Sequence, residues 1–180
     1  LAQLNLLPLL GGKAKVLHFA PEKWVSQLIT LQKPEAYIQA DLYPESENIQ
    51  KIDMHEIPYP DESFTIVIAN HVLEHVDDDL KAMSEIRRVL SPGGLAILQT
   101  PYSASLHHTF SDPGVTKPEQ RLQLFGQEDH VRLFGRDIFE RFATAGFSPL
   151  IVTHQQVLSD MPAQIFGVNE REPLFLFEAV

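Results

Sequence analysis

Three groups of residues in this chain have the types and spacing to do chemistry. His71-Val72-Leu73-Glu74-His75 has the H-x-x-E-H spacing that, on a helix, puts two histidines on one face to bind zinc and leaves the glutamate as base. Here it follows directly on the apolar run 64–70 (FTIVIAN), so the host helix is missing. No metal is expected, and His71 and His75 are expected to line a ligand site instead. The second group closes apolar runs: the loop His18-Phe19-Ala20-Pro21-Glu22, then Asp41, then Asp53, with Asn70 beside His71. Asp41 follows the loop by roughly 20 residues, the spacing of a carboxylate that grips a ribose diol. The third group lies in the polar segment 100–135, where His107, His108, Asp112, His130 and Arg132 offer proton acceptors and a cation.

The elements that position these groups follow from the hydropathy pattern. Short apolar runs alternate with helical patterns, which argues for an α/β fold with a mainly parallel sheet. Strands are expected at 15–20 (KVLHFA), 36–42, near 49–52, 64–70, 95–99, 149–153 and 173–180. The run 64–70 is almost continuously apolar, as for a strand covered on both faces. A helix is expected at 21–31, with Pro21 in its first turn. A second is expected at 77–90, where Leu80, Met83, Ile86 and Val89 recur at helical spacing. Asp77, Asp78 and Asp79 cap it and complement its dipole, and Asp77–Lys81 reads as a surface pair. Ser91-Pro92-Gly93-Gly94 stops it, and a third helix is expected at 136–145. The opening segment 1–14 reads as an N-terminal packing helix, and 100–135 as a lid on a single domain, because long loops in compact domains are usually functional or disordered.

The chain has 180 residues, a formal net charge of -10 and no cysteine. Disulfides, thiolate metal sites and a cysteine nucleophile are excluded, and the composition fits a reducing cytoplasm. The acidic balance opposes a nucleic-acid partner, whose binding rests on phosphate neutralisation. No apolar run approaches the ~20 residues of a membrane span. The first residue is not Met, which leaves a preceding segment open. Oligomeric state is not legible.

The stretch IPYPDESFTIVIANHVLEHVDDDLKAMSEIRRVLSPGGLAILQTP resembles the core of class I S-adenosylmethionine-dependent methyltransferases, especially the small-molecule group called type 11. It shares, in order, a proline-containing turn, an apolar strand with Leu-Glu-His after it, a helix, and a Pro-Gly-Gly turn into the next strand. The resemblance covers about 15–147. It implies a three-layer Rossmann-like fold, a mainly parallel seven-stranded sheet with an antiparallel last strand, and S-adenosylmethionine as cofactor with S-adenosylhomocysteine as product. Carried over by position, the cofactor would meet His18, Phe19, Ala20 and Glu22 in the first loop, Asp41 and Leu42 at the ribose, Asp53 and Met54 at the adenine, and Asn70 and His71. The family's first loop has an acidic residue followed by glycines; here His18 stands for the acid, Ala20 for the first glycine and Glu22 for a later one. Glycine serves there for positive φ or close approach, so the loop is expected to follow another path or the cofactor to sit differently, with Glu22 taking the cofactor's ammonium. His75, His107, His130 and Arg132 are the catalytic candidates for a small polar acceptor such as a sugar or other metabolite. A catalytically silent cofactor-binding or scaffold module is the rival, suggested by the missing glycines. A dinucleotide oxidoreductase is weaker, because a pyrophosphate wants the glycine loop this chain lacks.

Overall fold

The computed structural model describes residues 6–150, 153, 156 and 173–180. In chain order they form β1 (Lys15–Phe19), α1 (Lys23–Gln32), β2 (Ala36–Asp41), β3 (Gln50–Lys51), β4 (Phe64–Ala69), α2 (Asp79–Val89), β5 (Leu90–Ile97), β6 (Phe110–Ser111), α3 (Pro118–Phe125), β7 (Arg132–Leu133), α4 (Ile138–Thr144), β8 (Phe147–Pro149) and β9 (Leu176–Ala179). Seven strands make one sheet in the order β3-β2-β1-β4-β5-β9-β8. β1 runs parallel to β2 and β4, β2 to β3, and β4 to β5. β9 lies antiparallel between β5 and β8. The expected α/β fold, a mainly parallel seven-stranded sheet with an antiparallel last strand, is therefore present. β1 is interior, with β4 in the middle of the sheet.

Side chains alternate across each strand, and this sorts the core into two layers. Leu17, Phe19, Val67 and Ala69 face the cluster built with α2 and α4, through Met83, Ile86 and Phe142. Val16, Ile66 and Ile68 face the other cluster, with Ile29 of α1 and Leu10. The apolar continuity of β4 is thus the mark of a strand covered on both faces. Parallel strands carried by crossovers on both sides put every β1–β4 carboxyl end on one edge, where ligands of open α/β sheets bind.

Several expectations need correction. The opening segment forms only a 3₁₀ turn, Leu7–Leu10, seated by buried Leu6 and Leu10; residues 1–5 lie outside the described residues. Pro21 precedes the N-cap Glu22 instead of entering α1. In α2 the cap is Asp78, whose carboxylate accepts from the Lys81 N–H at 2.9 Å. Asp79, Ala82, Met83, Ile86 and Val89 form the buried stripe, and Leu80, one residue off it, is exposed. Lys81 pairs with Glu85 at 3.6 Å, not with Asp77. Strand β5 begins at Leu90 and takes Ser91-Pro92-Gly93-Gly94 into itself, with Gly93 at φ 73° and a register shift against β4. β8 ends at Pro149, ahead of the expected 149–153, of which 151–152 lie outside the described residues. The segment 100–135 has structure of its own, α3 and the β6–β7 ribbon.

One ion pair clamps the proline-rich turn before β4 onto α2. Arg88 donates to Glu85 at 2.7 and 2.9 Å and to the carbonyls of Ile57 and Tyr59, while Glu85 also accepts from the Ile57 N–H at 3.0 Å. The Arg88 hydrogen bonds outweigh burial and lower the Glu85 pKa to about 2, against an ordinary 4.5. A carboxyl depressed in the folded state stabilises fully above its unfolded pKa and loses that contribution as pH falls towards the folded one. Glu85→Gln is therefore expected to lower stability by roughly 1–3 kcal/mol at neutral pH. Urea unfolding at a series of pH values should show the gap to the parent closing between pH 4.5 and about 2.

Candidate active site

The loop after β1 makes the left-handed turn that glycine usually serves, but with alanine. Ala20 has φ 44°, and its N–H donates to the Ala40 carbonyl at 2.9 Å. The chain thus bears the ~1–2 kcal/mol of a left-handed L-residue there. His71, at the adjacent end of β4, has φ 54° and donates its N–H to Gln99 at 2.7 Å. Off-region backbone of this kind clusters at ligand sites.

Between the two turns sits Glu22. One carboxylate oxygen bonds His18 Nε2 at 2.7 Å and the other accepts from Asn70 Nδ2 at 2.9 Å. His18 is fully buried, and its Nδ1 meets the Tyr37 hydroxyl at 2.9 Å. Burial pushes the Glu22 carboxyl up, but the His18 and Asn70 hydrogen bonds outweigh it and hold the pKa below the ordinary value. Glu22 thus holds its carboxylate against the ring of His18, the position where the resembled family carries an acid. Asn70 Oδ1 is buried without a hydrogen bond. Glu22, Asn70 and His71 line a cavity of about 250 Å³ with Gln99.

His71 also lines an adjoining cavity of about 610 Å³, within the roughly 300–1,000 Å³ of small-molecule pockets. Phe19 and Ala20 reach it from β1, Asp41 and Leu42 from β2, and Asp53 and Met54 from after β3. Asp41 Oδ1 accepts from the Tyr43 N–H at 2.8 Å, and Asp53 Oδ1 from the His55 N–H at 2.9 Å and ring at 2.7 Å. The His55 backbone hydrogen bond is the main cause of a lowered Asp53 pKa. Each carboxylate caps its own turn with one oxygen; the other makes no hydrogen bond among the described residues.

The four catalytic candidates separate. His75 lines the larger cavity, with Nδ1 at 3.3 Å from Asp129. His130 is buried, its Nδ1 at 3.1 Å from the Phe125 carbonyl and its ring edge-on to His75 at 4.8 Å. His107 is exposed and lines neither cavity. Arg132 is 5% exposed and donates to the carbonyls of Leu73, Val76 and Asp77. Burial lowers its pKa, opposed by Asp79 at 3.7 Å. It is a clamp on the 73–77 segment and does not face an acceptor. Asp129, Asp77, Tyr43 and His55 line the larger cavity unforeseen. Asp129 carries no local signal, since α3 alone brings it there. Gln99 was legible as the residue closing an apolar run.

The sheet order and a cavity at the strand ends, with carboxylates closing β2 and following β3, are the architecture of a class I methyltransferase. Comparison agrees: a family model described as "Methyltransferase domain" matches residues 14–98 of this chain. A Mycolicibacterium smegmatis protein described as a "probable S-adenosylmethionine-dependent methyltransferase" is 35% identical over 124 residues, 67% of this chain and 44% of that one. The malonyl-[acyl-carrier protein] O-methyltransferase of Halorhodospira halophila is 30% identical over 95 residues, 53% of this chain and 30% of that one. This chain spans less than half the length of these relatives. In fold it is similar to the Burkholderia thailandensis 1,6-didemethyltoxoflavin-N1-methyltransferase solved with 1,6-didemethyltoxoflavin and S-adenosylhomocysteine, at a TM-score of 0.66 and 16% identity, covering 99% of this chain and 76% of that one.

Arg132→Ala strips three carbonyls and Asp79 of a buried partner, and is expected to lower folding stability by about 3–5 kcal/mol. Arg132→Lys should recover less than half of that, because a point ammonium cannot serve a forked site. Denaturant unfolding of both variants reads the difference.

Proposed function

We propose that the chain transfers a methyl group from S-adenosylmethionine to a small polar acceptor, such as a sugar or another metabolite. The observation that carries the cofactor reading is the Glu22–Asn70 pair. A carboxylate held ionised beside a buried, unpartnered amide oxygen suits an ammonium, which brings both charge and donors. With the amino acid end there, Asp41 takes the ribose hydroxyls and Asp53 with Met54 takes the adenine. The bound cofactor supplies an electrophilic methyl on a sulfonium. The protein's task is to hold an acceptor in line with it, and such positioning is worth ~7–11 kcal/mol. His71 lines both cavities and His75 the larger one, and His75, oriented by Asp129, can hold an acceptor's proton. His107 and His130 are weaker bases for this role, one in solvent and the other packed away. The segment 100–135 serves as the cover that keeps water out, with Asp129 as its contribution to the wall.

Two lines support a small acceptor: the cavity of about 610 Å³, and the 1,6-didemethyltoxoflavin bound in the similar Burkholderia enzyme. No helix among the described residues is long and apolar enough to cross a membrane. The rival reading, a silent module, rested on the missing glycines; Ala20 retains the turn without one.

S-adenosylhomocysteine at 100 times its dissociation constant should stabilise the intact protein by ~2.7 kcal/mol, seen as a rise in melting temperature. Asp41→Ala and Glu22→Gln should each cut that rise while leaving the unliganded melting temperature within a few degrees of the parent. A parent protein unmoved by millimolar ligand would favour the silent module.

A further inference from the structure

The wall between the larger cavity and the covering segment holds a cluster of which the proposed methyl transfer uses His75 alone. Glu74, His75 and His130 each present one ligand atom, all within 4.8 Å of one another. Glu74 is 1% exposed; its Oε2 accepts from the Thr100 hydroxyl at 2.9 Å, and its Oε1 is buried with no hydrogen bond. That oxygen lies 4.0 Å from His130 Nε2 and 3.4 Å from His71 Nδ1. His130 meets the Phe125 carbonyl through Nδ1, which can only donate there. In the neutral ring the Nε2 lone pair therefore points towards Glu74 Oε1. An unpaired buried carboxylate oxygen facing an imidazole lone pair is strongly disfavoured, and a cation between them would satisfy both.

The surroundings suit a metal ion. A backbone carbonyl on His130 Nδ1 and the Asp129 carboxylate on His75 Nδ1 are the outer partners that orient metal-bound imidazoles. Two histidines and one carboxylate, with no thiolate in the chain, are a ligand set of catalytic zinc sites that keep a position open. Bonds of about 2.0–2.1 Å put tetrahedral ligand atoms roughly 3.3 Å apart, so the cluster needs only small side-chain rotations to close. His71 and His75 line the larger cavity, so the open position is reached from there.

We propose that Glu74, His75 and His130 form a site for a divalent transition metal of the zinc type, opening on the acceptor side of the cavity. The site stands independently of methyl transfer. Its role rests on the methyltransferase reading: a metal there would bind an acceptor oxygen and ease loss of its proton.

The test is titration of the chelator-treated, intact protein with cobalt(II) chloride, followed by visible absorption. The expected result is the intense bands of four- or five-coordinate cobalt, saturating at one equivalent and abolished by one equivalent of zinc. Glu74→Gln keeps the shape of the side chain and should weaken binding at least tenfold. His75→Ala, at the least buried ligand, should do the same, while His107→Ala binds as the parent does. Circular dichroism confirms that each variant is folded. A parent without a saturable spectrum, or a spectrum that survives both ligand variants, overturns the proposal and leaves a proton as the shared cation. The S-adenosylhomocysteine melting shift, measured on the metal-free protein, separates the two readings. Cobalt binding without that shift removes methyl transfer but keeps the site; the shift without cobalt binding does the reverse.

Discussion

The Glu22 carboxylate, held between His18 and Asn70, is the contact on which the ligand side of the molecule is built. It joins the ends of β1 and β4, the two interior strands whose loops must diverge to leave a cavity. Its partner His18 is sealed within the sheet and braced by Tyr37, so the carboxylate cannot swing away without leaving a buried imidazole nitrogen unpaired. A network of this kind is strong when complete and costly when broken. It is complete except at Asn70 Oδ1, which is buried without a partner in a residue that lines the smaller cavity. The left-handed residues Ala20 and His71 stand on either side, their strain borne by the strands they close.

The acceptor side depends on a second clamp. Arg132 draws the carbonyls of Leu73, Val76 and Asp77 together, and Val131 donates its N–H to Glu74 at 2.9 Å. The segment 100–135 is therefore fastened to the β4–α2 connection near its C-terminal end, where Phe125 and Phe134 are also buried. Near its start, Ser103 bonds Phe134 at 2.9 Å. Moving the Arg132 attachment would expose a buried charge and orphan several carbonyls, so any opening of this cover is confined to the exposed stretch before it, around α3.

The sheet was legible because its cause is local: apolar runs of the right length, punctuated by Pro and Gly, write parallel strands directly into the chain. The strand-end rule then found Asp41, Asp53, Asn70 and His71, since the carboxyl edge follows from topology alone. What was not legible depends on contacts across the fold. Leu80 carries the helical spacing of a core residue, but the cap at Asp78 and the buried Asp79 define a stripe that passes beside it. Arg132 looks like a ligand's cation in the sequence; only the folded segment 73–77 gives it three carbonyls. Glu74, His75 and His130 do form a cluster, yet the H-x-x-E-H spacing pointed to His71 instead of His130. The third member arrives from 55 residues away, by the path of α3.

With Arg132 buried, the charge around the cavities is one-sided. Asp41, Asp53, Asp77 and Asp129 line the larger cavity and Glu22 the smaller, and among the described residues no Lys or Arg lines either. On the methyl-transfer reading this favours the sulfonium form of the cofactor. The product has lost that positive charge, so its attraction to the same carboxylates is weaker, which aids its release. The same field opposes an anionic acceptor, because like charges inside a partly enclosed site are poorly screened. Arg132 therefore cannot be the residue that selects an anion. Neutral hydroxyl-bearing or cationic acceptors meet no such barrier, and a neutral one gains most from a proton acceptor or a metal at the Glu74–His75–His130 wall.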